Sequence, residues 1–203
     1  MSRRERPQVY LARHGQTAYN LEGRFQGQQA VPLDDTGRAQ ASELAERAVA
    51  YDFAVLWSSP LLRARETADI VGARLGLTAI EDPRLMETDA GDWTDRSFAE
   101  VRAQAPQLFD AFVAGDGAFA FPGGESLTEQ EVRVAAALAE VERGELPALV
   151  VCHGMVIRAA LVTRAGHTVE QVQRVANGAL VPLDPVVVES GAELGGGANT
   201  IAS

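Results

Sequence analysis

The chain has 203 residues, enough for one domain with a substantial core and cramped for two. It is 46% hydrophobic and 23% charged, as globular proteins are, and its formal net charge of −10 argues against nucleic acid or an anionic membrane as the main partner. All 18 basic residues are arginine, which removes lysine Schiff bases and the P-loop while leaving guanidiniums free to converge on a small anion.

In chain order, Val9–Ala12 is a short apolar run that predicts a strand. The glycine- and glutamine-rich segment 17–35 predicts a loop. A helix follows, with Ala41, Leu44, Ala48 and Val49 on its inner face. Phe53–Trp57 is the next strand, running into SSPLLRARETADIV, where Ser59 is expected to cap a helix and Pro60 to occupy its first position. Ala64, Ala68, Val71 and Leu75 then recur at helical spacing, closed by Gly76.

Residues 77–93 predict a brief strand and a loop, and Phe98–Phe112 a helix before a flexible AGDGAFAFPGG. Ser126 and Glu129 form a capping box for a helix whose apolar side carries Leu127, Val134, Leu138 and Val141. Ala148–Cys152 predicts a buried strand and Met155–Ala165 a helix ended by Gly166. Ala179–Leu183 and Val186–Val188 predict edge strands before a loose tail at 191–203. Alternating strands and helices predict an α/β fold: one domain over 1–203 with its core at about 8–190, a mostly parallel sheet and helices on both faces in three layers.

His14, Arg63 and His153 all fall at or just beyond predicted strand ends, where ligands bind in such sheets. Histidine is a frequent catalytic base. Arg13 precedes His14, and Gly15 after it lets backbone approach a ligand closely. His153 repeats the arrangement at a helix start, where free N–H groups favour an anion. Arg13 and Arg63 supply the donor forks that a phosphoryl group matches. Glu87, in RLMETDAGDW, is a candidate proton carrier: nearby cations would keep it ionised, and an incoming phosphate would oppose them.

Other chemistries fit less well. No HExxH or paired CxxC is present for zinc, and arginines beside the histidines oppose a dication, so no metal and no cofactor is expected. There is no GxSxG elbow for a serine hydrolase. Cys152, the single cysteine, excludes an intrachain disulfide and is read as packing. No apolar run approaches the roughly 20 residues of a membrane span, and MSRRERPQVYLARHG is too quickly charged for a signal peptide, so a cytoplasmic protein is expected.

Taken together, RHGQTAYN at 13–20, GRFQGQQAVPLDDTG at 23–37, SSPLLRARETA at 58–68, METDAGDW at 86–93, FPGGES at 121–126 and CHG at 152–154 resemble the histidine phosphatase superfamily in its phosphoglycerate-mutase-like branch. The resemblance implies that His14 becomes phosphohistidine and that Arg13, Arg63 and His153 surround the transferred group. It makes Glu87 the proton donor to the leaving oxygen. Asn20 resembles a further phosphate-pocket residue, Gln26 and Gly27 fall at substrate-touching positions, and Gly154 and Met155 occupy the backbone-binding position. Ser59 matches a serine near the active site, and 94–124 corresponds to the substrate-selecting wall.

Mutases of the branch often carry Tyr three residues after the acidic one, and a lysine-bearing insertion. Here Ala90 stands there, and 94–124 holds only Arg96 and Arg102 as bases. The expectation is a metal-independent phosphomonoesterase acting on a phosphorylated small molecule. A 2,3-bisphosphoglycerate-dependent phosphoglycerate mutase and a non-catalytic phosphate-binding regulatory protein stand as alternatives. Phe112, Phe119 and Phe121 either meet an organic leaving group or anchor a loop, and Trp93 or the late strands could support a homodimer.

Overall fold

The computed structural model describes residues 8–172 and 174–183. The chain opens with β1 (Val9–Arg13) and then, inside the segment expected to be loop, a short helix α1 (Ala18–Glu22). Thr17 and Asn20 create it by capping each other's backbone, and asparagine at the position usually held by Glu or Gln hid the signal. α2 (Asp35–Ala48) is capped by Asp34 and buries Ala41, Leu44 and Ala48. Val49, expected on the inner face, instead enters a tighter turn after the helix and is 43% exposed.

β2 (Val55–Ser58) leads to α3 (Leu62–Leu75), which ends on Gly76 in the left-handed region at φ 72°. The cap expected from Ser59 and Pro60 is not formed. The helix begins after Leu61, which caps it without a side-chain bond, because the Ser59 hydroxyl accepts from the Leu61 N–H only two residues on, at 3.3 Å. β3 (Ala79–Glu81) completes this half of the sheet.

The single helix expected over Phe98–Phe112 is two, α4 (Phe98–Gln104) and α5 (Pro106–Ala114). Pro106 has no N–H to continue the ladder and drives Ala105 to φ −139°, ψ 61°, so it starts a new helix at its own favoured first position. α6 (Leu127–Val141) carries the Ser126–Glu129 capping box. The remaining elements are β4 (Ala148–Cys152), buried throughout, α7 (Gly154–Thr163), and β5 (Leu180–Pro182). Val186–Val188 and the tail at 191–203 lie outside the described residues.

The sheet order is β3-β2-β4-β1-β5, parallel except for β5, which pairs antiparallel with β1 at an edge. Alternation along the strands divides the core. Leu11, Val150 and Cys152 face a cluster with α6 and α7 residues such as Leu138 and Ile157. Tyr10, Ala12, Leu149 and Val151 face Leu44, Ala64 and Val71 of α2 and α3. These are the expected three layers.

A third cluster lies apart from the sheet, built from Phe25, Trp93, Val101, Phe119, Phe121 and Leu127. Trp93 is only 2% exposed, so it cannot serve the self-association suggested for it. Phe119 and Phe121, 3% and 4% exposed, anchor their loop. The segment around them is not free: the Phe121 N–H donates to Glu125 O at 3.0 Å and the Leu127 N–H to Phe119 O at 3.1 Å.

Candidate active site

Strand register brings the distant residues together. Arg13 pairs with Cys152 across β1 and β4, and Ser58 with Val151 across β2 and β4. The ladder runs one bond further on each side, His14 N–H to Cys152 O and Ser59 N–H to Val151 O, both at 3.0 Å. His14, His153 and Ser59 therefore emerge side by side at the carboxyl edge of three neighbouring parallel strands. The imidazole centroids are 5.2 Å apart, and His153 Nε2 lies 2.8 Å from Ser59 Oγ. His153 Nδ1 is buried with no hydrogen-bond partner among the described residues.

One hydrogen bond sets the chemistry of His14. Its Nδ1 lies 2.7 Å from Gly15 O, and a carbonyl can only accept, so Nδ1 carries the proton. In the neutral ring Nε2 then holds a lone pair, and Arg63 Nε donates to it at 3.3 Å. Burial, followed by the charges of Arg63 and Arg13, pushes this histidine well below its usual pKa, with the Gly15 contact opposing. His153 is also pushed well below the usual value, first by burial and next by Arg63.

Arg63, fully buried, is held by backbone: Nη1 donates to Gln29 O at 3.0 Å and Nη2 to Gly27 O at 2.9 Å. The turn presenting those carbonyls needs φ 48° at Gly27, which suits glycine. Burial lowers the Arg63 guanidinium to about 10, Glu87 opposing and Arg13 adding to the shift, so it stays a cation at neutral pH. Arg13 is lowered by burial as well, with Glu87 again opposing. Its Nη1 donates to Val175 O at 2.5 Å, and its Nε is buried without a partner among the described residues. Glu87, half-buried, thus acts electrostatically on both arginines; its Oε1 accepts from the Thr88 N–H at 3.0 Å.

Gly154 opens α7, and a side chain there would start 3.6 Å from Arg13 Nε. His153 caps this helix without a side-chain bond, so the first-turn N–H groups at Gly154, Met155 and Val156 have no acceptor within the helix. Two guanidiniums, a helix N-terminus and unpartnered buried nitrogens on Arg13 and His153 are donors of the kind that suit an anion, near the His14 lone pair.

The other expected residues make contacts within the protein. Asn20 Oδ1 accepts from the Thr17 N–H at 3.2 Å, and Gln26 Oε1 from the Thr17 hydroxyl at 3.0 Å. Met155 packs against the aromatic cluster. Cys152 is fully buried, which raises its thiol pKa and suits packing. Among the described residues, no group of three or more His, Cys, Asp or Glu side chains is gathered where a metal could be held.

Several contributors had escaped the sequence. Thr67, one helical turn beyond Arg63, accepts from the Gly15 N–H at 3.1 Å and donates to Arg63 O at 2.8 Å, tying the two site segments. Its i+4 spacing was the available signal. Asn177 Nδ2 donates to His14 O at 3.0 Å and to Asn20 Oδ1 at 3.1 Å. Asn177-Gly178 reads locally as a turn, and nothing in it points 163 residues back along the chain. Gly15 also has a different reason from the one expected: a Cβ there would lie 2.2 Å from Gly37 O, so its close neighbour is the first turn of α2.

Several known proteins are similar to this chain. The family description "Histidine phosphatase superfamily (branch 1)" matches residues 9–186. A probable phosphoglycerate mutase GpmB of Yersinia pestis (strain Pestoides F) is 38% identical over 162 residues, 78% of this chain and 75% of that protein. The structure of a mycobacterial glucosyl-3-phosphoglycerate phosphatase in complex with VO3 superposes with a TM-score of 0.78 at 32% identity, covering 86% of this chain and 91% of the other. A phosphoglycerate mutase from Thermus thermophilus gives 0.70 at 32% identity over 85% of this chain and 90% of the other.

Proposed function

This chain belongs to the histidine phosphatase superfamily, branch 1, and from that premise we propose that it hydrolyses a small-metabolite phosphate monoester through a phosphohistidine at His14, without a metal. The observation that carries the proposal is the His14 ring itself, with Nδ1–H committed to Gly15 O and Nε2 facing a buried guanidinium.

The phosphoryl oxygens lie against Arg13, Arg63, His153 and the first turn of α7. His14 Nε2 attacks phosphorus and displaces Arg63 Nε from its lone pair to an equatorial oxygen. The P–O ester bond breaks opposite the attack, and Glu87 gives its proton to the departing oxygen. A water then attacks the phosphohistidine and passes a proton to Glu87, releasing inorganic phosphate and restoring Nε2. Splitting the transfer in two replaces one difficult displacement by two easier ones, and fixed cations stabilise the charge as it redistributes.

Hydrolysis is favoured over mutase action by the wall. The segment 94–124 holds only Arg96 and Arg102 as bases, and Arg96 bonds to Gln104 while Arg102 lies over the Phe109 ring. The mutase remains the second reading because some relatives are so named. Among the described residues, no helix is long and apolar enough to cross a membrane. The test is turnover of p-nitrophenyl phosphate and a panel of metabolite phosphates after EDTA treatment. EDTA-resistant phosphate release that vanishes in His14→Ala is expected. Loss of release on chelation contradicts it, and transfer between glycerate hydroxyls outrunning release makes the protein a mutase.

A further inference from the structure

Glu87 lies on irregular chain, between the turns Pro83–Leu85 and Gly91–Trp93. A proton carrier has to stay within hydrogen-bond reach of the leaving oxygen, so loop placement calls for an external fixing. α6 supplies one. Arg133 Nη1 donates to Arg84 O at 2.8 Å and Met86 O at 2.6 Å, and Nη2 to Glu87 O at 3.3 Å. Its other edge forks onto Glu125, Nε to Oε1 at 2.6 Å and Nη2 to Oε2 at 2.7 Å. The pair is mostly buried, with side chains 20% and 14% exposed.

Glu125 closes the loop on itself. Its Oε2 accepts from the Asp89 N–H at 3.3 Å, and its own N–H donates to Asp89 O at 3.0 Å. Gln28 Nε2 grips Glu87 O from another side at 3.2 Å. The two loops meet too closely for side chains: a Cβ on Gly91 would stand 2.2 Å from Pro122 O, and one on Gly124 2.4 Å from Asp89 O.

We propose that Arg133 is a positioning residue for Glu87: neutralised by Glu125, its guanidinium pins three successive parts of the loop backbone and thereby aims the carboxyl at the leaving oxygen. The inference rests on the hydrolase reading of the site. Because Arg133 grips backbone carbonyls with one side of a planar fork and the Glu125 carboxylate with the other, lysine cannot replace it.

A proton donor matters most when the leaving group is a poor one. General acid catalysis contributes roughly 10²–10⁴-fold, and p-nitrophenolate departs with little need of it. Arg133→Lys should therefore lower kcat/KM, which reports departure of the leaving group and not the dephosphorylation common to both esters, by about 10–100-fold on glycerol phosphate and by less than about threefold on p-nitrophenyl phosphate. Glu87→Gln should show the same contrast more strongly, and adding Arg133→Lys to it should cost little more, because both changes remove one function. Thermal melts of each variant report folding, and Glu125→Gln, which weakens the fork from its other side, should show a milder version of the contrast. Equal losses on the two esters, or losses that add in the double variant, overturn the proposal. Wild-type protein that cleaves neither ester overturns the hydrolase reading itself, and the positioning role with it.

Discussion

The ends of β1, β2 and β4 and the wall at 94–124, with the aromatic cluster it packs in, are held together differently. At the strand ends the side chains are locked by backbone: His14 by Gly15 O, Arg63 by the carbonyls of Gly27 and Gln29, Arg13 by Val175 O. Beneath them lie the fully buried Leu11, Leu149, Val150 and Val151. The wall has a separate aromatic core around Trp93, and its helix α5 buries no residue completely. The proposed chemistry is therefore tied to the sheet, whereas the wall proposed to select the leaving group rests on packing separate from the strands. Glu87 stands between the two and is held by Arg133 from α6.

The sharpest separation comes from the wall. Trp93→Ala removes the ring that contacts Phe25, Phe109, Phe112, Phe119 and Phe121, and should cost about 3–5 kcal/mol of stability. Chemical denaturation should show that loss, while the His14 imidazole resonances of the folded fraction stay in place. Displaced resonances would mean that wall and strand ends form one unit.

Arg63 tests the other side. Arg63→Ala should lower kcat about 10²–10³-fold in steady-state assays, the scale of one lost transition-state donor, with little change in melting temperature relative to Trp93→Ala. Arg63→Lys should recover little, because an ammonium cannot hold two carbonyls and still present Nε. Near-normal kcat in either variant would remove Arg63 from the proposed phosphoryl site.

A smaller effect concerns acid. His14 and His153 are both depressed in the folded state, so below the ordinary histidine value of about 6.5 the unfolded chain takes up protons that the folded chain refuses. Their contribution is fully present above that pH and is lost as the pH falls through and below it. Two such groups give a slope of at most about 2.7 kcal/mol per pH unit. Urea titrations from pH 7.5 to 5 should show stability falling, and a His14→Gln, His153→Gln double variant should show a shallower fall. An unchanged slope would mean that neither imidazole is held neutral.

What the sequence revealed follows from which interactions are local. Val9–Ala12 and Ala148–Cys152 were readable as strands because burial on both faces leaves continuous apolar runs, and a residue just beyond such a run belongs to the ligand edge. That is why His14 and His153 stood out. Arg133, Asn177 and Val175 did not, since their bonds to Glu87, His14 and Arg13 reach across 46 to 163 residues and leave no spacing to detect. The break at Ala105 was written in Pro106, but apolar periodicity from Phe98 to Phe112 argued for continuity and outweighed it. Ser59 resembled a helix cap for the same reason. Its sequence context is right for one, and only the fold shows its hydroxyl beside His153.

The covalent step is the most direct point of attack. Protein mixed with a ³²P-labelled phosphate monoester, quenched in alkali within a turnover and digested, should carry acid-labile label on the peptide containing His14, absent from His14→Ala. Steady phosphate release with no labelled peptide, or with the label on any other residue, contradicts the account.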